Sequence, residues 1–484
     1  MGEKKLSSVV IPICLIQVWD HSDSNGFAKD PDSPTMTITE VESIEISDSY
    51  KNLFNTAEIR FPKGTLVRTI QTKAEIGQSE DDGEEGNNEV TANVDDTGII
   101  VTKRVQTNRA LPTSFKIGQR IRVRLGYTTD PSIAASGKTN NHKNSIFMNS
   151  QAMAVYKDSM KIMFDGFITK IGIEEPIVLR CEDLASVLKK INCPKINPSK
   201  NLTVNDLFAS DGKYKLLKNS CLKLHPDTKN SNIDIGITPI PGNLTIADVL
   251  LSWAKNVRLY SFIKTGPNEE PCLAIGRAYF DKIEKDTVFY DDDHAIREIN
   301  FNWHVANNGL TLLETNKNFL AIEATSLENI GGKEKFYHIT VRRNPEWSPD
   351  GKMEKYQILN EVSISKKSQK CGATVLGKSK DKVDLSTYTI LPYMSRKINI
   401  SHEDLKREVI KYYESVNMNG IEGDLTLFGD LALKSAMKVH LNDPLRPGKN
   451  GYYLIDEVVT TFSATGGYRQ KIKLPYCISR DKNE

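Results

Sequence analysis

Apolar and polar residues alternate along much of this chain with a period of two. The strictest run is Arg120-Ile121-Arg122-Val123-Arg124-Leu125, in which arginines alternate with apolar residues before Gly126. Residues 42–47 and 57–61 show the same period. Because successive side chains of a strand point to opposite faces, the pattern predicts strands with one buried and one charged face.

Residues 1–190 are predicted to form an antiparallel β-domain. A first strand is expected within residues 6–18. The basic start followed by an apolar run would also suit a signal peptide, but no small-residue cleavage site follows. A strand beginning at Phe164 should turn at 174–176 and return over 177–181. Residues 182–190 are predicted to form a short closing helix.

Two insertions, at about 69–112 and 128–158, interrupt this domain. Within the first, residues 75–96 hold nine acidic residues and no Lys or Arg. Such a segment has too little apolar surface to order itself. We expect hairpin extensions or mobile loops, which serve either as solvated decoration or as docking loops for a partner.

Residues 191–290 are predicted to form a small α+β domain. The run Asn-Leu-Thr-Val-Asn-Asp-Leu from Asn201 recurs as Asn-Leu-Thr-Ile-Ala-Asp-Val from Asn243. In each run a Thr is followed three residues later by an Asp, which is typical of a capped helix start. A hairpin is expected over 260–263 and 272–276.

Residues 291–484 return to alternation and are predicted to form a second β-domain. Ser401 and Asp404 have the spacing of a helix cap, which predicts a helix at about 402–416. Strands are expected over 298–301, 319–322, 337–341, 424–428, 432–441, 452–462 and 468–474.

The two β-domains echo each other. The run from Phe115 through the arginine strand has a counterpart in 427–441, and the hairpin 164–181 has one in 452–474. The basic alternation of the arginine strand also recurs in Arg469-Gln470-Lys471-Ile472-Lys473-Leu474. The sequence therefore predicts a mainly β chain in which two related antiparallel β-domains flank an α+β domain; the family resemblance described below implies that these two are tail-tube-like β-barrels.

Composition agrees with several domains but indicates no partner. The 484 residues suggest about three domains. Sixty-four Lys and Arg against 62 Asp and Glu argue against a protein that holds nucleic acid by bulk charge. The apolar runs are too short to cross a bilayer, so no membrane insertion is expected. The seven cysteines are scattered without a Cys-x-x-Cys motif, which predicts buried reduced thiols and folding in the cytoplasm.

Candidate chemistry is sparse. No phosphate-binding loop, His-Glu-x-x-His or Gly-x-Ser-x-Gly motif is present. Cys221 and His225 have a metal-ligand spacing but lack a second pair, and the cluster Asp291-Asp292-Asp293-His294 lies on consecutive positions of an extended chain. The acidic run 81–85 lacks the ligand spacing of a calcium loop. We therefore predict no catalytic residue, metal site or cofactor and no enzyme activity. A glycosidase-like carboxylate pair, which has no sequence motif of its own, is the open alternative.

The arginine strand has two interpretations. Arg120, Arg122 and Arg124 could track phosphates, but no aromatic residue is interleaved to stack bases. Salt bridges to a neighbouring strand or subunit fit the pattern better.

Motifs in both β-domains resemble a known family. They are Gly423-Asp424-Leu425-Thr426-Leu427-Phe428-Gly429, Gly451-Tyr452-Tyr453-Leu454-Ile455, the glycine turn before Tyr468, and Phe164-Asp165-Gly166 with its hairpin. They resemble the baseplate hub proteins of contractile phage tails, the late-control D type, and the N-terminal part of VgrG in type VI secretion. The resemblance covers most of the chain in domain order. The two insertions depart from the family pattern.

The resemblance implies a role and partners. Hubs of this type are homotrimers whose six tail-tube-type barrels match a hexameric tail tube on one side and a trimeric spike on the other. We expect contacts with tube protein, a separate spike chain and other baseplate proteins, with DNA or an effector passing transiently through the lumen. The protein would be made in the bacterial cytoplasm and located in a virion or injection-particle baseplate. Candidate subunit-interface or lumen residues are Arg120, Arg122, Arg124, Arg469, Lys471 and Lys473.

The sequence thus predicts a structural hub without catalysis. The alternative is a tail-associated β-protein that degrades cell wall or binds carbohydrate.

Overall fold

The structure is a computed structural model of the 484-residue chain. It describes residues 10–19, 34, 36–62, 66–71, 91–95, 98–104, 115–129, 159–172, 176–236, 238–257, 259–265, 271–277, 296–312, 320–330, 333–344, 354–365, 374–376, 388–394, 400–416 and 420–481.

The N-terminal part forms a curled antiparallel sheet, called unit 1 below. Its elements are β1 (Ile11–Trp19), β2 (Met36–Ile38), β3 (Ser43–Ser49), β4 (Thr56–Phe61), β5 (Leu66–Gln71), β6 (Thr91–Asp95), β7 (Gly98–Arg104), β8 (Arg120–Thr128), β9 (Met160–Ile171), β10 (Ile177–Asp183) and the 3-10 helix η1 (Leu184–Lys190).

The strand order of unit 1 forces its sheet to curl. The order is β3-β4-β10-β9-β8-β1-β2, so the two strands at its ends are consecutive in the chain. Seven strands laid flat would span about 29 Å, whereas the link from Ile38 to Ser43 reaches at most about 18 Å. The curled sheet encloses one core, which includes Ile16, Ile59 and Val123. Strands β5, β7 and β6 continue the sheet beyond β2, so the described part of the first predicted insertion is a hairpin extension.

The middle of the chain is a small α+β domain. Its elements are β11 (Leu202–Thr203), α1 (Val204–Phe208), β12 (Lys223–Leu224), α2 (Pro226–Ser231), β13 (Asp234–Gly236), α3 (Ile246–Val257), β14 (Leu259–Thr265) and β15 (Pro271–Arg277). Both predicted helix caps are confirmed: Thr203 with Asp206 starts α1, and Thr245 with Asp248 starts α3. The predicted hairpin is β14 with β15.

The rest of the chain forms a second β unit with an inserted layer. Its elements are β16 (Arg297–Asn300), β17 (Val305–Asn308), β18 (Thr311–Leu312), β19 (Leu320–Ile330), β20 (Lys333–Arg343), β21 (Tyr356–Ser365), β22 (Thr374–Leu376), β23 (Thr389–Met394), α4 (His402–Val416), β24 (Ile421–Phe428), the 3-10 helix η2 (Gly429–Leu431), β25 (Lys438–Asn442), the 3-10 helix η3 (Pro447–Lys449), β26 (Gly451–Leu454), β27 (Glu457–Ser463), β28 (Gly467–Leu474) and β29 (Tyr476–Arg480).

Unit 2 consists of β16–β18 and β24–β29, arranged as two sheets that share corner strands. One sheet has the order β16-β25-β26-β29, and the other runs β17-β24-β28-β27. The chain passes directly from β26 to β27 and, through the turn 301–304, from β16 to β17. The two sheets therefore wrap one core, which includes Leu425, Val439 and Ile472.

The two units have the same topology. In chain order, β2/β3, β4, β8, β9 and β10 of unit 1 correspond to β16/β17, β24, β25, β26/β27 and β28 of unit 2, with the same neighbours in space. Strand β1 is extra: it lies antiparallel between β2 and β8, so those two run parallel, just as β16 runs parallel to β25. The predicted echo is thus a duplication of strand order. The basic alternation is not part of it, because β28 corresponds to β10 and not to the arginine strand β8.

A separate layer is inserted into unit 2 between β18 and β24. The sheet β22-β21-β20-β19-β23 packs one face on α4 around a core of its own, with Ile322, Ile339 and Tyr413 fully buried. Ser401 caps α4 as the sequence predicts, since its Oγ accepts the N–H of Asp404.

The mainly β prediction with an α+β middle is confirmed, with three local differences. The strand expected over 452–462 is two strands, β26 and β27, which belong to different sheets. Among the described strands no hydrogen-bonded sheet closes on itself, so each unit is wrapped by bent strands and is not a closed barrel. The strand expected over 432–441 begins only at Lys438. Ala432 and Ala436 have φ values of 48° and 64°, which a strand does not allow.

No helix in the described ranges has both the length and the apolar character needed to span a membrane.

Gly429 is predicted to be required where η2 meets β28. A Cβ atom there would lie 2.4 Å from ring carbons of Tyr468, which is 1% exposed. We expect Gly429→Ala to lower the free energy of unfolding by about 1–3 kcal/mol because the packed ring has to move. Urea unfolding measures this.

The control is Gly448→Ala, where an added Cβ meets nothing within 4 Å. Its free energy of unfolding should stay within about 1 kcal/mol of wild type. Equal stability of the two variants would contradict the packing.

Candidate functional site

The two units are joined into one continuous sheet. Strand β27 of unit 2 pairs antiparallel with β3 of unit 1, from Glu457 opposite Ser49 to Ser463 opposite Ser43. The sheet therefore runs β17-β24-β28-β27-β3-β4-β10-β9 without a break. We call the β27·β3 pairing the junction.

Buried and half-buried polar groups close one end of the junction. Ser49 Oγ donates to the carbonyl of Asp456 at 3.2 Å, and Lys51 Nζ lies 2.7 Å from Asp456 Oδ2. Asp48 accepts both the N–H and the hydroxyl of Ser435, at 3.0 and 2.7 Å. These bonds link residues about 400 positions apart, so they fix the register between the units as well as their contact.

Aromatic residues close the other end. The Tyr127 hydroxyl donates to the carbonyl of Tyr468 at 2.7 Å and accepts the N–H of Gly429 at 3.2 Å. The two tyrosine rings stack with centroids 5.4 Å apart, and burial raises the pKa of both. Phe462 and Tyr468 of unit 2 belong to the core of unit 1. The units therefore share apolar packing and are not merely adjacent.

The continuous sheet has one buried and one polar face. On the buried face Ile44, Ile59 and Leu179 are at most 1% exposed. The opposite side chains are half-buried or exposed, and we call their surface the polar face. One row across six strands, in register order, is Phe428, Arg469, Thr461, Glu45, Glu58 and Arg180.

Ion pairs cover the polar face. Glu58 accepts hydrogen bonds from Arg60 at 2.8 and 3.1 Å and from Arg180 at 3.2 Å. The bonds from Arg60 are the main reason that the pKa of Glu58 is lowered. Glu457 lies 2.7 Å from Lys473, and this hydrogen bond raises the pKa of the lysine.

The arginines of β8 lie away from this face. Arg120 and Arg122 both bind Asp165 on the adjacent strand β9, with closest distances of 2.8 Å. Their side chains are only 14% and 10% exposed, and both guanidinium groups lie near the ring of Trp19. The structure therefore shows the neighbouring-strand salt bridge. A subunit contact or lumen position for these two residues remains a prediction.

Arg124 is placed differently from the other two arginines. Its Nε approaches Gln17 Oε1 on β1 at 3.4 Å, and its side chain is half-buried.

The three basic residues of β28 lie together on the polar face. Arg469 covers the Phe428 ring at 4.4 Å, Lys471 lies 2.5 Å from Asp424, and Lys473 pairs with Glu457. Of the predicted candidates, these three share one surface, while the β8 arginines form a separate cluster.

The duplication identifies two matching free edges. Strand β17 corresponds to β3, and the outer edge of β17 has no partner strand in the described parts of the chain. Its residues Ala306, Asn307 and Asn308 are exposed.

The second edge lies on β9 beyond Ile168. In unit 2, Ile455 exchanges backbone hydrogen bonds with Ala436 and Met437, just before β27 joins β3. In unit 1, Ile168 exchanges the equivalent bonds with Gly118 and Gln119. The segment from Thr169 to Ile171 therefore corresponds to the start of β27, and no strand in the described ranges covers it on that side.

The thiols and the candidate metal ligands are structural where they are described. Burial raises the pKa of Cys14 to about 12 and that of Cys193 to about 11, so both thiols stay protonated. His225 is 5% exposed, and its Nδ1 accepts the N–H of Asp227 at the start of α2. No group of three possible metal ligands occurs within the described ranges, and Asp291 to His294 and residues 81–85 lie outside them.

Sequence reasoning missed the residues of the junction. Asp48, Ser435 and Asp456 lie in ordinary polar contexts, and nothing local indicates partners about 400 residues away. The alternation and the glycine turn predict the hairpin of residues 457–474, but they do not indicate that β3 pairs with β27 on its other side.

The chain is similar in structure to several tail proteins. It matches the tail protein of Neisseria meningitidis MC58 with 10% identity and a TM-score of 0.46 over 96% of each chain. It matches the 43 kDa tail protein of prophage MuSo2 from Shewanella oneidensis with 10% identity and a TM-score of 0.44, over 96% of this chain and 98% of that one. In the Francisella PdpA-VgrG complex the match covers 98% of this chain but 55% of the other, with 9% identity and a TM-score of 0.41.

No protein-family profile and no curated protein sequence matches the chain. The structural likenesses are distant, so the role proposed below rests on the geometry of this chain.

Asp165 is predicted to be essential to the β8–β9 pairing. Asp165→Asn leaves Arg120 and Arg122 largely buried without their carboxylate. We expect the free energy of unfolding to fall by about 3 kcal/mol, the low end of the cost of breaking a buried ion pair. Chemical denaturation measures this.

Glu58→Gln is the matched control. It also removes a carboxylate shared by two arginines, but there the side chains are 31–63% exposed. Its cost should stay below about 1 kcal/mol. A loss for Asp165→Asn no larger than that of the control would refute the buried pair.

Proposed function

We propose that the chain is the structural hub of a contractile phage tail or related injection particle. Three chains would form a ring of six β units. The observation that carries the proposal is the junction: unit 2 presents β27 to the β3 edge of unit 1, so the duplicated units associate head to tail. A head-to-tail contact between unlike edges closes into a ring when its rotation permits.

The free edges supply the contact between chains. The free edge of β17 corresponds to the edge of β3 that binds β27. The free edge of β9 beyond Ile168 corresponds to the edge of β27 that binds β3. Placing β9 of one chain beside β17 of the next repeats the junction. A ring of three chains then alternates six similar units, which suits a sixfold tube on one side and a threefold spike on the other. The resemblance of the sequence motifs to contractile-tail hubs supports the same role.

The ring would be a scaffold and not an enzyme. The polar groups described above are held in salt bridges and caps that fix strands and helix ends. We infer a location in the baseplate after synthesis in the bacterial cytoplasm.

Disulfide trapping tests the ring. Lys170→Cys on β9 and Asn308→Cys at the end of β17 replace two exposed side chains, and they match the junction, where the start of β27 lies opposite the end of β3. We expect oxidation of this double variant to give covalent dimers and trimers on a denaturing gel, since each chain offers one cysteine to each neighbour.

The control pair is Glu45→Cys with Thr461→Cys, two exposed residues directly opposite each other at the junction. It should cross-link within one chain and leave a monomer band. Mass photometry of the unmodified protein should show three chains per particle. A monomer at all concentrations, together with no cross-linking between chains, would refute the ring.

One end of unit 2 supports a contact with a further ring. Leu445 is 84% exposed and Trp303 is 76% exposed. Trp303 comes three residues after Asn300 and Leu445 three residues after Asn442, and these two asparagines are paired directly across β16 and β25. The Leu445 loop is held rigidly, because Asp443 accepts the Leu445 N–H at 3.0 Å and pairs with Lys449 at 2.7 Å. We propose that this end docks onto the tube or spike protein.

Leu445→Asp should separate assembly of the ring from docking. We expect the variant to keep the cross-linked trimer but to lose co-purification with the tube and spike proteins of the same particle, because a charge replaces the apolar tip. Leu251→Asp on α3, where the leucine is 43% exposed, is the control and should retain the partners. Undiminished co-purification of Leu445→Asp would exclude this end as the docking surface.

A further inference from the structure

The backbone of residues 115–119, just before β8, repeats that of residues 433–437, just before β25. We call these stretches the unit 1 loop and the unit 2 loop. Gly118 and Ala436 hold the same place in them, and both have positive φ, at 92° and 64°. Each also donates its N–H in the backbone exchange described above for its unit. The two loops are therefore structural equivalents.

Side chains close the two loops in the same way. The N–H of Lys116 donates to Gln119 Oε1 at 2.7 Å. The N–H of Lys434 donates to Met437 Sδ at 3.2 Å, with the same spacing of three residues. The loops thus align residue by residue, which identifies the partner of every position.

One position differs in character between the loops. In the unit 2 loop it is Ser435, which is 8% exposed and gives both its N–H and its hydroxyl to Asp48 on β3 of unit 1. In the unit 1 loop it is Ile117, which is 69% exposed. A single exposed apolar residue is ordinary on a protein surface. Ile117 is distinguished by its equivalent, which a neighbouring unit covers.

A second junction residue changes in the same direction. Asp456 of unit 2 pairs with Lys51 of unit 1 at 2.7 Å. Its equivalent is Thr169, since each comes directly after the bond exchange and each lies at an irregular step of its strand. The hydroxyl of Thr169 donates back to the carbonyl of Arg180 within unit 1, at 3.0 Å. The free edge of unit 1 thus lacks the two side chains through which unit 2 makes polar bonds across this end of the junction.

We propose that Ile117 is the apolar anchor of the contact between chains, and that it fits the β17 edge of a second copy of this chain. The inference rests on the proposed function, in which β9 of one chain lies beside β17 of the next. The equivalence then places the unit 1 loop against the neighbouring chain, as the unit 2 loop lies against β3. Burial of the isoleucine in that contact removes apolar surface from water and needs no ion pair.

The difference between the loops also keeps the two contacts distinct. If Ile117 of one chain lay beside β3 of another, Asp48 would lose the hydroxyl of Ser435 and face an aliphatic side chain. A half-buried carboxylate would then be left without one of its donors, which disfavours that pairing. Strand β3 therefore selects the unit 2 loop, and the unit 1 loop is left for β17.

Mass photometry of Ile117 variants tests the anchor. Ile117→Ser, which gives the unit 1 loop the polar residue of its equivalent, should raise the concentration for half-maximal trimer roughly tenfold or more, and Ile117→Asp should raise it further. Ile117→Val keeps an apolar side chain and should assemble at nearly the wild-type concentration.

The matched control is Val10→Ser. Val10 is a β-branched residue that is 55% exposed, and it precedes β1 beside the Thr128 end of β8, whereas the unit 1 loop lies at the Arg120 end. This variant should assemble like the wild type. An equal loss for Val10→Ser, or wild-type assembly of Ile117→Asp, would overturn the proposal.

Disulfide trapping separates this inference from the ring. The Glu45→Cys/Thr461→Cys pair, introduced into each Ile117 variant, should still cross-link within one chain. Its failure would overturn the proposal, because Ile117 would then support the fold of the single chain. Trimers trapped through Lys170→Cys/Asn308→Cys, together with undiminished assembly of Ile117→Asp, would refute the anchor and keep the ring. A wild type that stays monomeric and does not cross-link would refute the ring, and the anchor with it.

Discussion

The backbone ladder between β27 and β3 is the interaction on which the rest of the structure depends. It joins two units that each have their own core, and it aligns their sheets residue by residue. A one-residue slip in this ladder would turn every side chain of β27 to the other face, so Phe462 would leave the core of unit 1 and Thr461 would enter it. The salt bridge of Lys51 with Asp456 and the Asp48–Ser435 hydrogen bonds hold the ladder at one end, and the tyrosine stack holds it at the other.

The two units share the order of their equivalent strands but differ in the strands and layers added to them. In unit 1, β1 lies between β2 and β8 where β16 meets β25 directly, and unit 2 has the strand β29 beside β26, which has no counterpart in unit 1. Unit 2 accepts an entire layer with its own core between β18 and β24, whereas unit 1 accepts the hairpin extension between β4 and β8. All strands of the run β17-β24-β28-β27-β3-β4-β10-β9 are shared between the units, and the added strands lie outside this run.

Local physics made much of the fold predictable from sequence. Period-two alternation located β3, β4, β8 and β28, and the Thr–Asp spacing located the starts of α1 and α3, because these signals act within a few residues. The prediction was wrong where conformation depended on single backbone angles, as at Ala436, which delays the start of β25. It could not separate the inserted layer, since strands of one sheet and strands of another alternate in the same way. The sequence also could not identify Asp165 as the carboxylate partner of Arg120 and Arg122. Asp165 is distant from both in sequence, and many other acidic residues could have paired with them equally well.

The position of the junction strands in the chain has a consequence for biogenesis. Strand β3 is synthesised about 400 residues before β27, so their ladder closes a loop of roughly 400 residues. Contacts of such sequence separation form slowly, because the entropy of closing the loop must be overcome before they stabilise anything. Until β27 emerges from the ribosome, β3 is an open strand edge with a hydrophobic neighbour, and such edges invite association with other chains. A chain broken off before residue 457 would lack this strand, so an incomplete product could not form the junction and would leave the β3 edge exposed.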